Sequence, residues 1–174
     1  MYSFPRCNLC GWPLLRLDGS VFGTRCVRCL STQIHRALGW VIDGLSLPDS
    51  ARVYELSSRG ALFAYLRRRW PGLYFSEYYP DVPPGERKNG IPCQDIQSLR
   101  LPDATFDLVT STEVFEHVPD DRRGFSEAYR NFGSDIGERL QEAGFTPEFR
   151  RVNSDRHRIR SQFVVVARKP PDAI

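Results

Sequence analysis

Four cysteines constrain this chain before anything else does. Cys7, Cys10, Cys26 and Cys29 read C-x2-C, fifteen intervening residues, then C-x2-C, which is the spacing of a structural zinc site. A two-residue gap lets both thiolates of a pair turn toward one ion, and two such pairs complete a tetrahedron. Gly11, directly after the first pair, frees the backbone to bend away from the metal. Between the pairs, WPLLRLDGSVFGTR reads as a short hairpin turning at Asp18-Gly19. Two disulfides are the other account of four cysteines, and they suit a secreted miniprotein. The opening MYSFPRCNLC, however, has neither a basic n-region nor an apolar h-region. Four thiolates leave a zinc ion no open position, so it would fold the segment, not do chemistry, and His35 has no vacancy to fill. Cys93 lies far from the quartet and reads as a buried apolar residue.

The next stretch, STQIHRALGWVIDGL, reads as a helix capped by Ser31 or Thr32, with Ile34, Leu38, Val41, Ile42 and Leu45 at helical spacing. Its expected task is to dock the metal segment onto the rest of the chain. SLPDS, with Pro48, is the expected domain boundary. The organisation is therefore a ribbon over residues 1–30, a docking helix and linker over 31–50, and a larger domain over 51–174.

From Arg52 onward strand and helix patterns alternate. RVYEL is a strand, ALFAYLRRRW a helix, and LYFSEY a second strand beyond Pro71-Gly72. YPDVPPGERKNG is a turn-rich loop, IPCQDI a short third strand weakened by Pro92, and FDLVTSTEV a fourth strand. PDDRRGFSEAYR reads as a helix opened by Pro119 and acidic residues that suit its dipole. A helix through IGERLQEAGF and two closing strands, PEFRRVN and SQFVVVAR, complete the chain. Such alternation predicts an α/β fold, Rossmann-like, with a mostly parallel sheet and helices on both faces. Ligands of these sheets bind beyond the carboxyl ends of the strands.

The strand ends are acidic or hydroxylic: Glu55 before the turn Ser57-Ser58-Arg59-Gly60, Glu77, Asp95, then Ser111-Thr112-Glu113. Carboxylates at three ends line a phosphate site poorly. They suit a ligand with ribose hydroxyls, an exocyclic amine and a positive charge, as S-adenosylmethionine has. A surface acid is the competing account of Glu55.

The segment CQDIQSLRLPDATFDLVTSTEVFEHVPD is similar to one stretch of the class I S-adenosylmethionine-dependent methyltransferases of the small-molecule type. There an acid at the third strand is followed by "LP", by "FD" opening the fourth strand, and by "EHV" before an acidic helix start. The resemblance covers residues 52–130 closely and 131–169 more loosely. The cysteine ribbon and the ELSSRG turn resemble a bacterial subset of these enzymes with an N-terminal zinc ribbon. The resemblance implies that Glu55 closes the first strand and that Ser57, Ser58, Arg59 and Gly60 meet the cofactor's methionine part. It implies that Glu77, with Tyr78 beside it, holds the ribose, and that Asp95 accepts from the adenine amine while Ile96 packs on the ring. Ser111 and Thr112 would lie by the methionine moiety, with Glu113, Phe115 and His117 toward the acceptor. His117 is the candidate general base, and local packing at a helix start is its competing account.

Two departures from the family stand out. Its turn is usually glycine-rich, whereas here Gly60 alone is glycine among 57–60. After Tyr129-Arg130 the family's fifth strand is missing and the chain passes directly to NFGSDIGERL. The fourth strand is then expected to pair with the final strand, leaving a shortened sheet whose exposed edge favours a homodimer. A small-molecule acceptor is expected. The alternative is a catalytically degenerate methyltransferase fold that uses its ribbon for protein or nucleic-acid contacts. The net charge of +3 comes with two basic patches, Arg67-Arg68-Arg69 and Arg150-Arg151 through Arg160. A solvated face explains them more simply than nucleic acid does. No apolar run approaches the roughly 20 residues needed to cross a bilayer, so no membrane partner and a cytoplasmic location are expected.

Overall fold

The computed structural model describes residues 5–13, 15–17, 24–102, 104–114 and 136–169. It divides into two compact units, each assembled from separate stretches of chain: Met1–Asp49, Arg59–Arg69 and Glu148–Val166 in unit 1, and Ser50–Ser58, Trp70–Pro147 and Ala167–Ile174 in unit 2.

Unit 1 begins with the two cysteine knuckles. Strands β1 (Leu15–Leu17) and β2 (Thr24–Cys26) pair antiparallel, Leu15 opposite Cys26. The expected turn at Asp18-Gly19 lies outside the described residues. Helix α1 spans Gln33–Gly44, and Thr32 is its cap. The His35 N–H donates to Thr32 Oγ1 at 3.4 Å while the Thr32 N–H donates to His35 Nδ1 at 3.2 Å, so His35 is occupied as a capping partner. The buried face of α1 is not the expected stripe: it carries Arg36, Ala37, Gly39, Val41 and Ile42, whereas Ile34 and Leu45 are half-buried. The reason is that α1 has two neighbours. A Cβ on Gly39 would lie 2.3 Å from Leu9 Cδ2, so only glycine lets the first knuckle sit this close. On another side Ala37 and Val41 join Val152, Ile159 and Val164 in one apolar cluster.

Those last three residues belong to a hairpin, β8 (Thr146–Ser154) and β9 (Ile159–Arg168), which forms a two-stranded sheet of its own. The expectation that the fourth strand would pair with the final strand is therefore corrected. The closing strands bury their apolar face on α1, and that satisfies them without joining the parallel sheet. Helix α2 (Gly60–Arg69) completes unit 1, with the Tyr65 hydroxyl donating to Asp43 and Arg68 donating to the Leu9 carbonyl.

Unit 2 is built on a parallel sheet ordered β4 (Tyr74–Phe75), β3 (Val53–Glu55), β7 (Leu108–Thr110). Glu55 stands opposite Phe75 on one side and Thr110 on the other. All three residues of β3 are buried, as a central parallel strand requires. Tyr54 packs on Tyr74 and Phe106, with ring centroids 5.2 and 5.1 Å away, and its hydroxyl shares a 2.7 Å hydrogen bond with Ser76. At the amino end the Arg52 N–H donates to Asp107 at 2.8 Å and its guanidinium pairs with the same carboxylate at 2.9 Å.

The expected third strand is reduced to a single parallel bridge between Glu77 and Cys93. Its first residues form β6 (Ile91–Pro92), which pairs antiparallel with β5 (Arg87–Lys88). Asn89 and Gly90 turn that hairpin at φ 52° and 80°, the left-handed pair of a tight two-residue turn. Pro92 has no N–H to donate, which limits the ladder here. Cys93 is fully buried, as its apolar reading requires. Helix α3 (Ile136–Glu142) follows. The expected helix over PDDRRGFSEAYR, and with it Phe115 and His117, lies outside the described residues, as does the join after Arg130.

Candidate functional site

The register of the parallel sheet brings four chain segments to one carboxyl end. Beyond β3 the chain runs through Leu56, whose N–H donates to the Thr110 carbonyl at 3.1 Å. Beyond β4, the Gln94 N–H donates to the Glu77 carbonyl at 3.0 Å, so Asp95 follows immediately beside Glu77. Beyond β7 come Ser111 and Thr112.

Glu77 and the serine turn are in direct contact. Glu77 Oε1 accepts from the Ser58 N–H at 2.9 Å, from Ser58 Oγ at 2.9 Å and from Ser57 Oγ at 3.4 Å. A glycine-rich turn would offer backbone N–H groups alone, whereas the two serines add hydroxyl donors that brace it against the neighbouring strand. Arg59 and Gly60 are exposed and lead into α2, Gly60 with φ of 91°, where a side chain would be strained.

Glu55 is not a surface acid. It is 2% exposed and accepts from the Thr110 hydroxyl. Burial pushes its carboxyl up to about 7; the Thr110 hydrogen bond opposes that, and the nearby Glu77 charge adds to it. Thr110, which local sequence did not single out, follows from the β3–β7 register.

Asp95 Oδ1 accepts from the Gln97 N–H at 2.9 Å, capping the short 3-10 turn Ile96–Ser98. Ile96 is half-buried, whereas Tyr78 is largely exposed. Ser111 Oγ and Thr112 Oγ1 are buried and have no hydrogen-bond partner among the described residues. Two adjacent orphaned hydroxyls are unusual, because buried polar groups are nearly always paired. Glu113 follows in left-handed backbone at φ 56°. The orphaned hydroxyls, the braced turn and Asp95 offer acceptors and donors in the pattern a polar nucleoside would use.

The second constellation is the cysteine quartet in unit 1. The four sulfurs all lie within 4.8 Å of one another, Cys7–Cys29 at 3.6 Å and Cys10–Cys26 at 3.5 Å. Zn–S bonds of about 2.3 Å give tetrahedral edges of roughly 3.8 Å, so the quartet fits one ion. The two knuckles repeat one geometry. Gly11 N–H donates to the Cys7 carbonyl at 2.8 Å and Leu30 N–H to the Cys26 carbonyl at 2.9 Å, both residues being left-handed. The Cys7 contact holds the Cys29 thiol down while the same contact pushes Cys7 up and burial pushes Cys10 up, so the four sulfurs share their protons unequally.

Beside the quartet lies a residue that sequence reading passed over. Arg36 is wholly buried and donates to four carbonyls: Ser31 and His157 at 2.7 Å, Thr24 at 2.8 Å and Arg158 at 3.1 Å. Burial lowers its pKa, while the charges of Cys7, Cys26 and Cys29 oppose the shift. It joins ribbon, helix and hairpin turn, and it places a cation near Cys7, Cys26 and Cys29. An arginine one residue from Ala37 on a buried helix face gives no sequence signal of this.

A family model described as a methyltransferase domain matches residues 77–132. Comparison with curated proteins and with solved structures finds no match. No helix among the described residues is long and apolar enough to cross a membrane. The matched segment starts at Glu77, crosses the Glu77–Cys93 bridge and includes β7 with its orphaned hydroxyls. With a parallel three-stranded sheet and a four-cysteine cluster compatible with a zinc ribbon, this match over residues 77–132 supports a methyltransferase domain of the class I, S-adenosylmethionine-dependent type.

Proposed function

We propose that the chain moves a methyl group from S-adenosylmethionine to a small-molecule acceptor, with the cofactor seated at the carboxyl ends of β3, β4, β7 and the Cys93–Asp95 segment. The observation that carries this is the pair of buried hydroxyls on Ser111 and Thr112, which have no partner among the described residues. They lie one strand away from a turn already braced by Glu77. Bound there, the cofactor supplies an electrophilic methyl on a cationic sulfur. Glu77 holds the ribose hydroxyls while Oε1 keeps Ser57 and Ser58 in place. Asp95 accepts from the adenine amine, and Ile96 covers one face of the ring. Ser111 and Thr112 donate to the polar groups of the methionine part, and Glu55 ties β3 to β7 behind the turn by accepting from the Thr110 hydroxyl. Displacement at a methyl group needs alignment above all, so residues that orient the two reactants supply much of the rate. The cysteine quartet holds Zn²⁺ with no open position, and its task is to fold unit 1.

Titration calorimetry with S-adenosylhomocysteine tests the assignment. The wild-type chain should bind, and a Ser111→Ala/Thr112→Val variant should bind at least tenfold more weakly. That variant should melt no lower than wild type in the absence of ligand, because it removes two hydroxyls that lack partners. Equal affinity for both proteins, or no heat from either, overturns the reading.

A further inference from the structure

The protein's modest net charge conceals a strong partition. Unit 1 holds 14 of the 24 lysines and arginines but 5 of the 21 acids, a net +9, and unit 2 holds 10 and 16, a net −6, which together restore +3. All 14 cations of unit 1 are arginines. Methyl transfer on a nucleoside cofactor in unit 2 gives no reason for a second unit of this charge.

Within unit 1 the β8–β9 hairpin has two unlike faces. Val152, Ile159 and Val164 go inward against α1. The outer face carries Phe149 and Phe163, 47% and 65% exposed. Arg151 lies between the strands on that face: its Nε donates to Ser161 Oγ at 3.0 Å and its guanidinium stands 5.9 Å from the centre of the Phe163 ring. Arg156 and Arg160 are exposed nearby in sequence, at the turn and at the start of β9. On the second knuckle's side the pairing recurs, with Arg28 5.2 Å from the ring centre of the exposed Trp12. Two exposed phenylalanines on one face of one strand pair, with an arginine between them, are the kind of apolar surface that marks an interaction site. Rings interleaved with arginines on a sheet face are what single-stranded nucleic acid needs. Its bases stack on aromatic planes while its phosphates meet guanidinium groups. Arginine suits this better than lysine, since its planar fork both stacks and pairs with phosphate oxygens. A duplex keeps its bases stacked inside and could use the charge but not the rings.

We infer that the outer face of the β8–β9 hairpin, in the arginine-rich unit 1, binds single-stranded nucleic acid by stacking on Phe149 and Phe163 and pairing phosphates with Arg151 and its neighbours. The inference stands apart from methyl transfer and does not depend on the cofactor site. Fluorescence anisotropy of the full chain with a labelled single-stranded oligouridine of about 15 nucleotides tests it, with a duplex of equal length and heparin as comparators. The single strand should bind most tightly, with log affinity falling linearly as log salt rises. Phe149→Ala and Phe163→Ala should each weaken it about fivefold or more, leaving the salt slope unchanged. Arg151→Ala should reduce the slope by about 0.7. Thermal melts of the three surface variants should match wild type, so a lost signal reports the face itself. Failure of the oligouridine to bind at low salt overturns the inference. So does equal binding of heparin and duplex that the phenylalanine variants do not change. A wild-type dimer that Phe163→Ala dissolves would assign the face to a second copy of the chain instead.

Discussion

Replacing Glu55 by glutamine should remove a pH-dependent weakness built into the centre of the parallel sheet. Glu55 is 2% exposed, and burial raises its carboxyl from 4.5 to about 7. The folded state therefore holds this proton more tightly than the unfolded chain does. Its contribution to stability is fully present below the unfolded value of 4.5 and is lost as pH rises through about 7. A tenfold difference in proton affinity is worth about 1.4 kcal/mol, so the full span is about 3 kcal/mol. Roughly 2.5 kcal/mol of it falls between about pH 5 and pH 8. Glutamine keeps the shape and can still accept from the Thr110 hydroxyl, but it does not ionise. Urea unfolding of both proteins across this range is the assay. The advantage of Glu55→Gln over wild type should grow by about 2.5 kcal/mol toward alkaline pH, or about 1 M in midpoint for an m-value near 2 kcal/mol/M. Thiols and the carboxylates other than Glu77, whose charge acts on Glu55, titrate equally in both proteins and cancel in the difference. Parallel stability curves would show that Glu55 is solvated in solution and that the burial argument is wrong.

Leu30 occupies the position that Gly11 fills in the other knuckle, at φ 61° and with its side chain 64% exposed. Leu30→Gly should therefore stabilise unit 1 by about 0.5–1 kcal/mol, the relief of left-handed strain less the added freedom of the unfolded chain; a lowered melting temperature would refute this. Metal analysis should find about one zinc ion per chain, and a strong chelator should lower the far-ultraviolet helical signal and release the hairpin from α1. Arg36→Met, which removes the donor to four carbonyls, should cost about 3 kcal/mol or more, and a smaller loss by calorimetric melting would mean that water replaces the guanidinium.

The features that sequence alone determined are local. The cysteine quartet was legible because two C-x2-C pairs bring their own geometry, with each knuckle's hydrogen bonds closing within five residues. Helices α1 and α2 and strands β3 and β7 were legible from caps and apolar patterning, and the part of the matched segment from Cys93 onward was legible from its motif. Everything set by partners distant in the chain needed the tertiary structure. Glu55 becomes a buried acid because β4 and β7, about 20 and 55 residues away, close over it. Arg36 becomes a clamp because its carbonyl partners include residues more than 120 positions on. The final strands form their own sheet, and their apolar face is covered by α1. A strand's pattern records which face is apolar, and only folding decides what that face meets.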